Sequence, residues 1–207
     1  MKSDVLIEAK DALPGRKEAL STAAMHFVFH RPLQGILPGH IKRLLVGMGC
    51  FWGAERLFWQ QAGVYLTAVG YAGGFTENPT YEEVCSGKTG HTEVVAVHYD
   101  PQEVAFCDLL TLFWQEHDPT QFMRQGADIG TNYRSALYLD DLDDLAQAHA
   151  SRQAFQDALS ARGFGKIVTE IALDRTFYFA EDYHQQYLAK NPNGYCGLKG
   201  IGILCPS

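Results

Sequence analysis

Short apolar segments of strand length alternate with helical patterns between residues 41 and 190, and this alternation restricts the possible folds more than any other feature. The predicted strands cover residues 41–48, 64–71, 91–99, 134–139 and 168–173. The predicted helices cover residues 51–62, 100–117, 142–161 and 180–190. Strands and helices that alternate along a chain pack as a sheet covered by helices. The sequence therefore predicts a mixed α/β fold.

Three of the predicted helices have boundary signals. Thr80 and Glu83 form a capping-box pattern for a further short helix. Asp100 is predicted as the N-cap of the helix over residues 100–117, because a proline and a glutamate follow at the first and third helical positions. Gly163 is predicted to end the helix over residues 142–161.

The chain divides into three parts by composition. Residues 1–40 contain several prolines and glycines and are predicted to form an irregular N-terminal arm. Residues 41–190 contain the regular elements and form one α/β domain of ordinary size. Residues 191–207 are rich in glycine and are predicted to form a flexible tail that carries two of the five cysteines.

Charge and cysteine content narrow the possible functions. With 17 basic and 24 acidic residues, the formal net charge is −7, which disfavours nucleic acid and anionic membrane surfaces as partners. No apolar run reaches the roughly 18 residues that span a bilayer, and the first residues lack the apolar region of a secretory signal. The odd number of cysteines favours a reducing compartment, so we expect a cytoplasmic protein whose disulfides are transient and catalytic.

The spacing of glycines and cysteines in this sequence does not match known nucleotide-binding or metal-binding motifs. A dinucleotide-binding turn after the first strand would need its third glycine where Trp52 stands. A phosphate loop ending at Gly87 would need a glycine where Glu82 stands. Cys196 and Cys205 are eight residues apart without a matching histidine pair, which does not fit a structural zinc site. We therefore expect neither a metal nor a cofactor.

The strongest candidate for chemistry is Cys50, at the predicted start of a helix. A helix N-terminus favours an anion, so this position should raise the thiolate fraction of Cys50. Phe51 and Trp52 follow directly, and at least one ring should line an apolar pocket beside the thiol. Glu93 supplies a carboxylic acid near the start of a strand, and Asp128 lies in a polar loop with Tyr133.

Six motifs in one order resemble peptide methionine sulfoxide reductase A. They are Gly49-Cys50-Phe51-Trp52-Gly53, Tyr81-Glu82-Glu83-Val84-Cys85, Gly90-His91-Thr92-Glu93, His117-Asp118-Pro119-Thr120-Gln121, Asp128-Ile129-Gly130-Thr131 and Gly194-Tyr195-Cys196-Gly197. The resemblance covers about residues 43–206. It implies a two-layer α/β sandwich related to the ferredoxin-like plait.

The resemblance implies a role for each matched residue. Cys50 attacks the sulfoxide sulfur and is left as a sulfenic acid. Glu93 matches the acid that protonates the sulfoxide oxygen, which requires a carboxyl that is neutral near pH 7 and hence buried. Hydrogen bonds to the same oxygen come from Tyr81 and Tyr133. The pocket for the methyl group is implied at Phe51 and Trp52, with Asp128 as a further polar member.

The resemblance implies that two of the remaining cysteines regenerate the Cys50 thiol. Cys196 matches the residue that forms a disulfide with Cys50, and Cys205 resembles the third cysteine of three-cysteine members of the family. Cys205 would attack Cys196 and leave a disulfide for thioredoxin to reduce. Cys85 and Cys107 are predicted to be packing residues. The substrates implied are the S form of methionine sulfoxide, free and in oxidised proteins, and we expect a monomer.

Two other functions remain open at this point. The first is a cysteine hydrolase in which His91 activates Cys50. The second is an interaction module whose tail docks on a partner. His117 and His184 are predicted to have local structural roles, and Tyr187 and Tyr195 lie near matched motifs without an assigned position.

Overall fold

The computed structural model describes residues 5–206, so the first four residues of the predicted arm and the last residue of the predicted tail lie outside the described residues. The described strands are Lys42–Met48 (β1), Val64–Ala72 (β2), Thr92–Tyr99 (β3), Arg124–Gln125 (β4), Asp128–Ile129 (β5), Ser135–Leu139 (β6), Glu170–Leu173 (β7) and Tyr178–Phe179 (β8). The described helices are Phe51–Trp59 (α1), Tyr81–Cys85 (α2), Phe106–Gln115 (α3), Leu142–Ser160 (α4) and Tyr187–Lys190 (α5). The mixed α/β class predicted from the sequence is confirmed.

Six of these strands form one mixed sheet in the order β7-β6-β1-β3-β2-β8 within residues 5–206. Neighbouring strands are antiparallel except β6 and β7, which are parallel. Along the chain, the four central strands occur in the order β1, β2, β3 and β6. Helix α1 lies between β1 and β2, α2 lies between β2 and β3, and α3 with the strands β4 and β5 lies between β3 and β6. The short strands β4 and β5 form a separate hairpin.

Both faces of the sheet are buried, because successive side chains of a strand point to opposite sides. Leu44 and Val46 of β1 pack into the larger core cluster together with apolar residues of α1, α3 and α4. Leu45 lies in a second cluster on the other face, where Leu33 of the N-terminal arm covers the sheet. The arm, which lacks long regular elements, thus closes the face that the helices leave open.

The predicted helix start at Asp100 is wrong, because α3 begins six residues later. Asp100 closes a turn instead, since its side chain accepts from the amide of Gln102 at 2.9 Å and its carbonyl accepts from two further amides. Ala105 then adopts an extended conformation and α3 starts at Phe106. This start buries the side chains of α3 that lie on one helical stripe, namely Phe106, Leu109, Leu110 and Phe113.

The predicted continuous helix over residues 180–190 is also wrong. Gln186 has φ of 48°, in the left-handed region, and separates a short 3-10 turn from α5. The carboxyl of Glu55 accepts hydrogen bonds at 2.7 Å from both the backbone amide and the side-chain amide of Gln186. These two bonds to a fully buried carboxyl stabilise a backbone conformation that ordinarily costs about 1 kcal/mol or more.

Acidification is expected to destabilise the fold, because buried histidines must take up protons on unfolding. Burial lowers the pKa of His26, His117 and His184 to about 4. An unfolded histidine titrates near pH 6.5, so stability that is present above about pH 6.5 is lost as the pH falls towards 4, by about 3 kcal/mol for His117. Glu55 acts in the opposite direction, since burial raises its pKa to about 7, but it offsets only one histidine.

Urea unfolding between about pH 7 and pH 4 measures this loss. The variant His117→Gln should have a flatter dependence of stability on pH, whereas His149→Gln, on the exposed surface of α4, should keep the original dependence. A free energy of unfolding that does not change across this range would contradict the assignment of neutral buried rings.

Candidate active site

The turn between β1 and α1 fixes the position of Cys50. Gly49 has φ of 87°, and a Cβ atom at this residue would lie 2.5 Å from the Cβ of Gln125. Only glycine fits both the left-handed backbone and the close approach of the β4 strand. Cys50 follows as the N-cap of α1, so its side chain lies at the helix N-terminus, as predicted.

The Cys50 thiol is protonated in the resting protein. Burial, and then the nearby Glu93, raise its pKa, although the backbone amide of Trp52 donates to the sulfur and opposes this effect. The amide at the helix start acts in the predicted direction, but the net change in the pKa of Cys50 is the opposite of the one expected. Desolvation outweighs the one amide that faces the sulfur.

Glu93 lies beside Cys50, at the start of β3. Its side chain is 1% exposed, and its Oε2 accepts a hydrogen bond of 3.1 Å from the backbone amide of Phe51. Burial disfavours the charged form of a carboxyl. The carboxyl of Glu93 is thus bonded to the residue that follows Cys50 and is shielded from bulk water.

Tyr81 and Tyr133 both lie close enough to Glu93 for its charge to affect them. Burial raises the pKa of Tyr81, as do its hydrogen bond to Cys85 and the charge of Glu93. Burial and Glu93 raise the pKa of Tyr133. Both phenols therefore stay protonated and remain hydrogen-bond donors at neutral pH. The amide of Tyr81 donates to Glu181 at 2.9 Å, which anchors the start of α2.

The hairpin and the tail meet at the site through Asp128 and Tyr195. The Tyr195 hydroxyl donates to Asp128 Oδ2 at 3.0 Å. Asp128 is also among the charges that raise the pKa of Cys50. The sequence could not place Tyr195, whose position depends on how the tail folds back over the domain.

Aromatic rings surround Trp52 next to the thiol. Trp52 is half-buried and stacks on Tyr187 with ring centroids 3.9 Å apart. Its Nε1 donates to His184 Nδ1 at 3.0 Å. Phe51 is 1% exposed and lies deeper in the core, with its ring centroid 5.0 Å from that of His184. Trp52 thus lies nearer the surface of the site, and Phe51 packs more deeply against His184.

The position of His184 among these aromatic rings was not predicted from the sequence. The ring is 1% exposed and its centroid is 4.6 Å from that of Tyr81. It therefore contacts Tyr81, Phe51 and Trp52 at once. The only sequence signal was the proximity of His184 to Tyr187, which a continuous helix over residues 180–190 would have placed differently.

Replacing His184 with phenylalanine should weaken substrate binding. The variant leaves the half-buried Nε1 of Trp52 without its acceptor, which costs about 1 kcal/mol or more and allows the indole to turn. We expect KM for the substrate that the sequence resemblance implies to rise by roughly 3- to 10-fold, with a smaller change in kcat. Steady-state kinetics and tryptophan fluorescence measure this. His184→Asn, which retains an acceptor, should recover part of the loss, and equal kinetics for both variants would contradict the orienting role.

Cys196 lies over the first turn of α1. The guanidinium of Arg56 donates to Cys196 Sγ at 3.0 Å. A Cβ atom on Gly53 would lie 2.9 Å from the same sulfur, so residue 53 must lack a side chain for the tail to approach. Cys196 is also one of the groups whose charge affects the Cys50 thiol. The two thiols predicted to form the first disulfide are therefore neighbours.

Cys205 lies away from this cluster. Its thiol forms hydrogen bonds with Ser151 of α4 and Thr111 of α3. Within residues 5–206 all five cysteines are present as thiols. Cys107 is exposed, so its prediction as a packing residue is wrong, whereas Cys85 is partly buried.

The structure shows that His91 cannot act as the base of a cysteine hydrolase. His91 Nδ1 accepts from the amide of Gly74 at 3.0 Å, and Nε2 lies 2.8 Å from the carbonyl of Thr76. Neither ring nitrogen is left to activate Cys50. His117 is likewise held by the carbonyl of Phe113 and by the Ser135 hydroxyl, which agrees with a structural role.

Residues 5–206 contain no group of three or more histidine, cysteine, aspartate or glutamate side chains placed to hold a metal ion. No helix in the same range is long and apolar enough to cross a membrane.

Comparisons with known proteins identify relatives of the chain. Residues 42–201 match the family model for peptide methionine sulfoxide reductase. The peptide methionine sulfoxide reductase MsrA of Brucella anthropi is 63% identical over 196 residues, which cover 95% of this chain and 90% of the relative. The corresponding protein of Brucella ovis is 62% identical over 197 residues, covering 95% of this chain and 90% of the relative.

Solved structures give the same result. Methionine sulfoxide reductase A of Corynebacterium diphtheriae superposes with a TM-score of 0.88 at 42% identity and covers 98% of this chain and 100% of that chain. Mxr1 of Saccharomyces cerevisiae in reduced form has a TM-score of 0.71 at 34% identity over 79% of this chain and 92% of that chain. Mxr1 in complex with Trx2 resembles the fold with a TM-score of 0.52 at 22% identity, over 80% of this chain and 92% of that chain.

Proposed function

The chain belongs to the peptide methionine sulfoxide reductase family and is a methionine sulfoxide reductase, and from this premise we propose that Cys50 is its nucleophile and Glu93 its acid. The observation that carries the proposal is the hydrogen bond from the Phe51 amide to Glu93 Oε2. This bond joins a buried carboxyl to the residue that follows the N-cap cysteine. A thiol beside a buried carboxyl that can hold and release a proton is what sulfoxide reduction requires.

The first step transfers an oxygen from methionine sulfoxide to Cys50. The sulfur of Cys50 attacks the sulfoxide sulfur while Glu93 protonates the sulfoxide oxygen. Glu93 then accepts the proton that Cys50 gives up, so the carboxyl acts as a shuttle. The hydroxyl then moves from the substrate sulfur to the Cys50 sulfur as the bond between the two sulfurs breaks. Methionine leaves and Cys50 becomes a sulfenic acid, with no net charge added to the buried site. The raised pKa of the resting thiol supports this order, because the proton stays on sulfur until substrate arrives.

We propose that the hydroxyl groups of Tyr81 and Tyr133 donate hydrogen bonds to the sulfoxide oxygen. Their raised pKa values keep both hydroxyl groups protonated. Trp52 and the more deeply buried Phe51 form the pocket for the methyl group of the substrate. Asp128 adds a polar contact at the edge of the site, where Tyr195 fixes its side chain. We propose that this asymmetric arrangement selects the S form of the sulfoxide, free or within oxidised proteins.

Recycling begins when Cys196 attacks the Cys50 sulfenic acid, which forms the Cys50–Cys196 disulfide and releases water. The position of the Cys196 sulfur over Gly53 supports this step. Cys205 then attacks Cys196, which restores the Cys50 thiol. Because Cys205 rests between α3 and α4, the tail of residues 191–207 must shift for this exchange. The tail is therefore the recycling segment of the enzyme.

Thioredoxin is the proposed reductant of the Cys196–Cys205 disulfide. The solved complex of Mxr1 with Trx2 supports a partner of this type. We also propose that the enzyme acts as a monomer in the cytoplasm, where thioredoxin keeps thiols reduced.

An assay coupled to thioredoxin tests this function. Thioredoxin, thioredoxin reductase and NADPH are mixed with the protein and with one epimer of methionine sulfoxide. We expect NADPH oxidation with the S epimer and none with the R epimer. Cys205→Ser should lose most turnover with thioredoxin while the first methionine still forms, and full turnover by this variant would contradict the relay.

A further inference from the structure

A groove between α3 and α4 contains two cysteines. It has a volume of about 570 Å³, and both Cys107 and Cys205 line it. Thr111 and Ser151 lie in the same groove and form hydrogen bonds with the Cys205 thiol. Cys205 thus lies in the same groove as a second thiol that the catalytic proposal does not use.

The tail runs along α3 towards Cys107. Gly200 lies against the carbonyl of Gln115, at the last residue of the helix, and Cys205 lies beside Thr111, one turn earlier. Cys107 is one further turn earlier, and residues four apart lie on the same helix face, about 6 Å apart along the axis. The Thr111 hydroxyl donates to the carbonyl of Cys107 at 2.9 Å. A shift of the chain end by about one helical turn, roughly 6 Å along the axis, would bring Cys205 level with Cys107.

We propose that Cys107 is a further thiol of the recycling relay and that it takes the disulfide over from Cys196. The Cys107 thiolate attacks the Cys205 sulfur of the Cys196–Cys205 disulfide. A Cys107–Cys205 bond forms, the bond to Cys196 breaks, and Cys196 leaves as a thiolate that takes up a proton. Cys107 is oxidised and Cys196 is reduced, so methionine sulfoxide remains the sole oxidant. This step rests on the relay proposed above.

The packing of the tail favours this transfer. A Cys196–Cys205 disulfide draws together two residues that rest on different helices, α1 and α3. That bond must displace part of the segment between them, where Ile203 is buried in the core. A Cys107–Cys205 bond leaves Cys205 in its groove and allows Ile203 to return. The exposed position of Cys107 also makes this disulfide accessible to a reductant.

This transfer allows a second turnover that leaves no sulfenic acid on the protein. Once Cys107 holds Cys205, both Cys50 and Cys196 are thiols again and can reduce another sulfoxide. The protein then ends with two disulfides, Cys107–Cys205 and Cys50–Cys196. Without Cys107, the second turnover leaves Cys50 as a sulfenic acid beside a Cys196–Cys205 disulfide.

The test uses the reduced full chain with excess methionine sulfoxide, no reductant, and dimedone to trap sulfenic acid. We expect two methionines per protein, both disulfides by peptide mapping, and no dimedone adduct. Cys107→Ser should give the Cys196–Cys205 disulfide and a dimedone adduct on Cys50. The matched variant Cys85→Ser, which also removes one thiol outside the first exchange, should keep both disulfides.

Two results would overturn the inference and leave the proposed function standing. One is methionine release with Cys107 recovered as a thiol and Cys50 trapped by dimedone. The other is Cys107 in a disulfide between two protein chains, seen as a dimer on a non-reducing gel. Absence of methionine would instead overturn the proposed function itself.

Discussion

Replacing Cys50 with serine is expected to abolish methionine formation, with a loss of roughly 10⁴-fold or more. A serine hydroxyl is a far weaker nucleophile than sulfur, and its oxygen cannot be oxidised to an equivalent of the sulfenic acid. Cys50 is the N-cap of α1, and serine is a favourable N-cap residue, so the fold should be retained. Release of methionine by the reduced protein without added reductant measures the effect.

The control for this variant is Cys85→Ser, which removes a partly buried thiol near Tyr81. It should still release methionine in the first turnover. Methionine formation by Cys50→Ser at a rate close to that of the unchanged chain would show that another thiol attacks the sulfoxide.

Glu93→Gln is expected to lower kcat by roughly 10² to 10⁴-fold, because the sulfoxide oxygen no longer receives a proton as sulfur attacks. The glutamine carbonyl can still accept from the Phe51 amide, so the site should keep its shape. The loss should therefore appear in kcat and in the single-turnover rate, with KM changed much less.

An exposed glutamate on α2 provides the matched control. Glu82→Gln makes the same side-chain change on the exposed surface of α2. Its rate should stay within about 2-fold of the unchanged chain, as expected for an exposed substitution. A Glu93→Gln protein with an unchanged single-turnover rate would remove Glu93 from the chemistry.

Local sequence patterns predicted the elements that carry Cys50 and Glu93. The strand β1, the glycine turn and the start of α1 are all encoded within about ten residues, and the left-handed φ of Gly49 agrees with that pattern. The capping box of Thr80 and Glu83 is present as predicted, with both hydrogen bonds formed. These features could be predicted because neighbouring residues determine them.

Features that depend on distant residues were not predictable in this way. Gln186 breaks the expected helix because it bonds to Glu55, which lies 131 residues away in the chain. The place of His184 beneath Trp52 follows from that break. The delayed start of α3 reflects the burial of Phe106, which overrides a strong local capping signal at Asp100.

The contacts that the tail makes with the site were also not predictable from the sequence. Glycine content predicted that residues 191–207 lack regular structure, and none is present in the described part up to residue 206. Composition could not predict that Tyr195 reaches Asp128, or that Cys205 rests against Thr111. Both contacts join the chain end to elements that are distant in sequence.

The most direct test of the central claim is to find which sulfur takes the oxygen. Reduced Cys196→Ser is mixed with methionine S-sulfoxide without reductant, quenched in acid and analysed by peptide mass spectrometry. We predict one methionine per protein and a mass increase of one oxygen atom, or a dimedone adduct, on the peptide that contains Cys50. Release of methionine with Cys50 unmodified, or with the oxygen on another cysteine, would contradict the assignment of Cys50 as the nucleophile.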